Sequence, residues 1–104
     1  MRVPIRYVKE SDIADAVQAA ARDLAPEVVR IRYNIGEDWT GDPAIFFRVL
    51  LSDEASKEEG LLGVMERVES RLVDELKPRD LGLFTYFNFR SKSEQDDLKE
   101  ESWS

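Results

Sequence analysis

The chain has 104 residues and a net charge of −7, with 15 basic and 22 acidic residues. This length predicts one domain, and the excess of acid disfavours nucleic acid and anionic membranes as partners, because both are polyanions. Since Cys and His are both absent, disulfides, thiolate or imidazole metal sites and histidine general bases are excluded. With no signal-like segment or long apolar run, we expect a soluble cytoplasmic protein without membrane attachment.

The first half of the chain predicts one helix followed by two strands. Residues 1–9 are mixed in character and contain Pro4, which indicates an arm or an edge segment. Apolar residues at helical spacing then predict a helix that ends before Pro26. Alternating segments predict strands over 27–35 and 44–51, joined by a loop with two glycines and a proline.

The second half predicts a helix, a strand and a tail. An apolar stripe from Leu61 to Leu76 predicts the second helix, which Pro78 ends. Residues 81–90 predict the third strand. We therefore expect an α+β domain over residues 1–90, and an acidic, flexible C-terminal tail over residues 91–104. The composition leaves open whether this tail is disordered or folds onto an arginine-rich face of its own domain.

The element order α-β-β-α-β predicts a two-layer sandwich. In this arrangement a three-stranded mixed sheet carries two helices on one face. Since the second strand, the second helix and the third strand form a crossover unit, we expect the third strand beside the first, in the spatial order 2-1-3.

Read with a period of two, the strands have one apolar set of side chains and one set rich in arginine and aromatic residues. The apolar set predicts the core face: Val29, Ile31, Tyr33, Ile35, Ile45, Phe47, Val49, Leu51, Leu81, Leu83, Thr85, Phe87 and Phe89. The other set predicts a contact surface: Arg30, Arg32, Arg48, Arg90, Phe46, Phe84 and Tyr86. Trp39, in the loop between the first two strands, is a further candidate anchor.

Other interpretations of these residues remain open. Aromatic rings beside arginines on an open sheet can also stack single-stranded bases, or the arginines can pair with acids on neighbouring strands. Three acids in the loop, Glu37, Asp38 and Asp42, are of the type that binds Mg²⁺ or Ca²⁺, but their spacing does not match a full calcium loop. We therefore predict no metal, no cofactor and no catalytic activity.

Two resemblances bear on these predictions. Residues 29–47, and residues 87–94 with the sequence FNFRSKSE, resemble small uncharacterised bacterial proteins encoded beside HEPN-domain proteins, many of which are RNase toxins. This resemblance implies an antitoxin-like partner role. The α-β-β-α-β order is also similar to the cytoplasmic domain of cation-efflux transporters, which dimerises, although the histidine ligands of that family are absent here.

Together these observations predict a non-catalytic protein-binding module. Its partner is expected to be a second copy of the chain or the product of a neighbouring gene, bound through the arginine and aromatic face. The alternative is single-stranded nucleic-acid binding by the same face.

Overall fold

The computed structural model describes residues 10–78 and 81–103, and the expectation of an arm or edge segment over residues 1–9 falls outside them. The elements follow in the order α1 (Glu10–Asp23), β1 (Val28–Glu37), β2 (Pro43–Leu51), α2 (Glu58–Leu76), β3 (Phe84–Ser91) and α3 (Lys92–Leu98), and a 3₁₀ turn at Glu101–Trp103 closes the described chain. The three strands form one mixed sheet, so the predicted α+β class is confirmed.

The strand order differs from the prediction: it is β1-β2-β3, not 2-1-3. β2 pairs antiparallel with β1 and parallel with β3, so the crossover through α2 joins direct neighbours. The physical reason lies in β2 itself, whose side chains are buried on both faces over much of its length. A strand buried on both sides needs a nearly continuous apolar sequence and occupies the centre, whereas β1 and β3 carry more polar residues and form the edges.

The core lies on one face of the sheet, which we call the inner face, under α1 and α2. Ile45, Phe47, Val49 and Leu51 of β2 are each no more than 1% exposed. The helices contribute residues spaced three or four apart along one side: Ile13, Val17 and Ala20 from α1 and Val64, Val68 and Leu72 from α2. The prediction of two helices on one face is thus confirmed.

The core alternation of β1 changes at its first residues. Val28 is buried and Val29 is 42% exposed, the reverse of the predicted assignment. The pairing shows why: Val28 lies opposite Leu51 and Arg30 lies opposite Leu50, so one extra residue sits in β1. Such a β-bulge shifts the alternation by one position, and from Ile31 onward the predicted phase holds.

The segment predicted as a tail is folded through residue 103. Ser91 and Glu94 form a reciprocal capping box at the start of α3. The backbone N–H and hydroxyl of Ser93 both donate to the Asp53 carboxylate, at 2.9 and 2.6 Å, which attaches α3 to the β2–α2 connection. Among the described residues, no helix combines the length and apolar character needed to cross a lipid bilayer.

The bulge gives a matched pair of variants. Val28→Ala should lower the free energy of unfolding by about 2 kcal/mol, because it removes two buried methyl groups and leaves a cavity. Val29→Ala should change it by less than about 0.5 kcal/mol, because that side chain is largely in water. Urea unfolding of both variants measures the difference, and equal losses would contradict the bulge.

Candidate interaction surface

The predicted contact residues of the three strands lie on one side of the sheet, opposite α1 and α2; we call this side the outer face. Paired residues point to the same side of a sheet, and the pairing gives four rows across β1, β2 and β3. They are Gly36–Ala44–Phe84, Asn34–Phe46–Tyr86, Arg32–Arg48–Asn88 and Arg30–Leu50–Arg90. The structure therefore brings together every predicted sheet residue of the surface.

One half of the outer face is aromatic and open to solvent. The rings of Phe46 and Tyr86 stack with centroids 5.2 Å apart, and Trp39 lies over Tyr86 at 5.1 Å. Phe84 is 55% exposed and Trp39 is 80% exposed. We call these four residues the aromatic patch. Large exposed aromatic side chains grouped in this way are unusual on a surface that contacts only water.

A single carboxylate holds Trp39 in this position. Asp38 accepts hydrogen bonds from the Thr40 hydroxyl at 2.6 Å and the Thr40 backbone N–H at 2.9 Å. It also accepts from the Asp42 backbone N–H at 3.0 Å and from the Tyr86 hydroxyl at 2.7 Å. Gly41 completes the turn at a φ of 85°, which favours glycine. The loop is therefore tied both to itself and to β3.

These contacts shift the pKa values of Asp38 and Tyr86 in opposite directions. The hydrogen bonds from the Thr40 and Tyr86 hydroxyls lower the pKa of Asp38 from 3.8 to about 2, because they stabilise its charged form. The same bond to Asp38 raises the pKa of Tyr86, since the phenol keeps the proton it donates. Asp38 thus acts as an acceptor for four donors, which explains its place in the loop without a metal ion.

The other half of the outer face is covered by the end of the described chain. Arg30 donates from Nε and Nη2 to the Trp103 carbonyl at 3.2 and 3.1 Å, and Arg48 donates from Nε to the Ser102 carbonyl at 2.6 Å. Arg90 donates to the Glu100 carboxylate at 2.8 Å and lies 4.3 Å above the Trp103 ring. The tail thus folds onto its own arginine-rich face, one of the two possibilities that the sequence left open.

This cover divides the predicted surface. Arg30, Arg48 and Arg90 bind the chain's own segment, whereas Arg32 is exposed. A shallow depression of about 420 Å³ lies where the two halves meet. Its lining combines rings, amides and guanidinium groups: Asn34, Phe46, Arg48, Asn88, Arg90 and Trp103.

Three participants were missing from the sequence-based set. Asp38 orders the loop, Gln95 donates through Nε2 to the Glu100 carbonyl at 2.7 Å, and Trp103 is only 8% exposed. Asp38 had a recognisable signal, because an Asp two residues before a Thr and three before a Gly is typical of a side-chain-capped turn. Gln95 had none, although its partners Arg90 and Glu100 are each only five positions away. Trp103 had one, because it and Leu98 are the large apolar residues among the acids of residues 91–104, but its partner Arg30 lies 73 positions away.

Within residues 10–78 and 81–103, no group of three or more Asp or Glu side chains is arranged to hold a metal ion. Asp38, the most buried acid of the 37–42 loop, directs its oxygens to hydroxyl and amide donors. The chemistry that the outer face offers is stacking, apolar contact and hydrogen-bond donation by guanidinium and amide groups.

The Asp38 network predicts a pH dependence. Because the folded pKa of Asp38 is below the unfolded value, its stabilisation is present above about pH 4 and is lost as the pH falls towards 2. The difference in Tm between the wild type and Asp38→Asn should therefore shrink over that interval. Thr40→Val, which removes the strongest donor, should weaken the dependence without abolishing it. A difference that stays constant from pH 5 to about pH 2 would contradict the network.

Comparison with known proteins adds no functional assignment to this geometry. No protein-family model matches the chain, and no curated protein sequence matches it.

Proposed function

We propose that this protein is a non-catalytic protein-binding module that engages its partner through the aromatic patch. The observation that carries the proposal is the exposure of Trp39 and Phe84, at 80% and 55%, on a loop and a strand that are held rigidly by hydrogen bonds. Rigid aromatic side chains give large contact area at little entropic cost, and they are enriched among residues that dominate binding energy.

The surroundings of the patch also suit a protein partner. Asn34, Asn88 and Arg32 surround the rings with exposed polar groups, which is the usual arrangement of an apolar interface centre with a polar rim. The net charge of −7 favours a basic partner, because complementary charge accelerates encounter.

The resemblance to proteins encoded beside HEPN-domain proteins supplies a specific candidate. An acidic module that covers a basic RNase surface would act as an antitoxin by occlusion, in the bacterial cytoplasm. A second copy of this chain is the other candidate partner, in which case the patch would form the centre of a symmetric dimer.

Single-stranded nucleic acid is the alternative ligand. The stacked Phe46–Tyr86 pair beside the depression lined by Arg48 and Arg90 is the arrangement that favours it. We rank it second because three of the four predicted arginines already hold the chain's own segment, which leaves less positive charge for a phosphate backbone.

The patch is tested with Phe84→Ser and a matched control, Leu62→Ser. Leu62 is 72% exposed on α2, away from the outer face. We expect Phe84→Ser to weaken binding to the proposed HEPN-type partner by at least about tenfold, and Leu62→Ser to leave it unchanged. Isothermal titration calorimetry measures both affinities, with residual RNase activity as the second readout. Equal affinities for the two variants would overturn the role of the patch.

The alternative partners give different signatures. Self-association through the patch should appear as a mass that rises with concentration in light scattering and that falls to the monomer mass in Phe84→Ser. Binding of a single-stranded oligonucleotide would lose affinity steeply as salt increases. An interface built on aromatic contact should change little under the same conditions.

A further inference from the structure

Arg30, Arg48 and Arg90 form the covered half of the outer face, which we call the arginine half. They bind a short segment of the chain, partly through its backbone carbonyls. We call residues 99–103 the C-terminal segment. Two consecutive carbonyls of this segment, those of Ser102 and Trp103, accept hydrogen bonds from Arg48 and Arg30. Contacts to main-chain oxygens depend on the path of the segment and not on its side chains.

Two side chains of the segment add selectivity. Glu100 accepts from Arg90, and the Trp103 ring lies against the same guanidinium. Such a stacked cation contributes most when the ring is withdrawn from water, and Trp103 is 8% exposed. The site therefore holds an acid followed three residues later by an aromatic ring, on a backbone that forms a 3₁₀ turn.

The segment lies outside both the sheet and the inner-face core. It pairs with no strand, and the inner-face core cluster does not include Trp103. It begins at Lys99, which has a φ of 53°, a left-handed conformation that is unfavourable for a residue other than glycine. A segment outside the main core can open locally while the rest of the domain stays folded.

The charges at this site are incompletely neutralised. Within the described chain, Arg90 forms an ion pair with Glu100, whereas Arg30 and Arg48 bond to neutral carbonyl and amide oxygens. A ligand that placed carboxylates opposite Arg30 and Arg48 would gain ion pairs that the chain's own segment does not make there.

We propose that the arginine half is a peptide-binding site, that the C-terminal segment is its intramolecular ligand, and that a local acidic, Trp-bearing segment of the proposed, otherwise basic, partner protein displaces it. The inference deepens the proposed function and rests on it.

The test uses the full chain and a capped peptide with the sequence KEESWS, which is that of residues 99–104. The Trp103→Ala variant should bind this peptide at least about tenfold more tightly than the wild type, because the wild-type site is already occupied. Leu62→Ala, which changes an exposed residue of α2 away from the outer face, should bind as weakly as the wild type. Calorimetry that finds no tighter binding by Trp103→Ala than by the wild type would overturn the proposal.

A second measurement covers the case in which Trp103→Ala does not fold. In the wild type, NMR should show the Trp103 indole signal moving towards its exposed position as excess peptide is added. A peptide with Ala in place of Trp should have no effect. The peptide is added to about 1 mM, which would half-saturate even a weak site with a Kd of about 1 mM. An indole signal that stays unchanged at that concentration overturns the inference.

The two proposals fail separately. Loss of partner binding in Phe84→Ser together with no peptide binding would leave the proposed function intact and remove the peptide site. Peptide binding, together with partner binding that Phe84→Ser does not change, would support the peptide site and remove the proposed role of the aromatic patch.

Discussion

The burial of the inner side of β2 is the constraint on which the rest of this structure depends. Its inner side chains, Ile45, Phe47, Val49 and Leu51, pack under α1 and α2 and leave almost no exposed area. Because successive side chains point to opposite faces of a strand, fixing these four inward forces Phe46 and Arg48 outward. The registers with β1 and β3 then place the remaining arginines and rings in rows beside them.

The outer face that results has two halves, which differ in their side-chain chemistry and in whether another part of the chain covers them. Near the β1–β2 loop it is aromatic, uncovered and held rigid by the Asp38 hydrogen bonds. At the opposite end it is cationic, and the acid-rich end of the chain lies on it. An acidic protein thus keeps its few clustered arginines in contact with its own acids and carbonyls, while the rings remain available. This division favours protein partners over polyanions.

The same division connects the two proposals. The aromatic patch and the arginine half meet at the depression between Phe46 and Trp103. A partner that occupies the patch therefore lies next to the C-terminal segment, and a partner with an acidic aromatic segment of its own can take the place of that segment. Binding and release of the segment are then two states of one surface, and their balance depends on the difference in contact energy between the two ligands.

The sequence by itself determined the α+β class, the position of the three strands and the sidedness of nearly every strand residue. The alternation along β2 is a local property of the sequence. When Ile45, Phe47 and Val49 are buried on one face, Phe46 and Arg48 must point to the other face. The exception was Val28 and Val29, because a bulge inserts one residue at a point that alternation alone cannot locate.

Only the tertiary structure decided the strand order and the fate of the last residues. β3 lies beside β2 because β2 is the strand that the folded domain buries best. That ranking depends on all three strands together, so it cannot be read from the sequence of any one of them. The docking of Trp103 on Arg90 likewise depends on Arg30, which is 73 positions away in sequence from the carbonyl it holds. Contacts between residues so far apart in sequence form only in the folded domain. The arginines that bind the segment are brought together by the sheet, and their contacts offset the entropy lost when the segment becomes ordered.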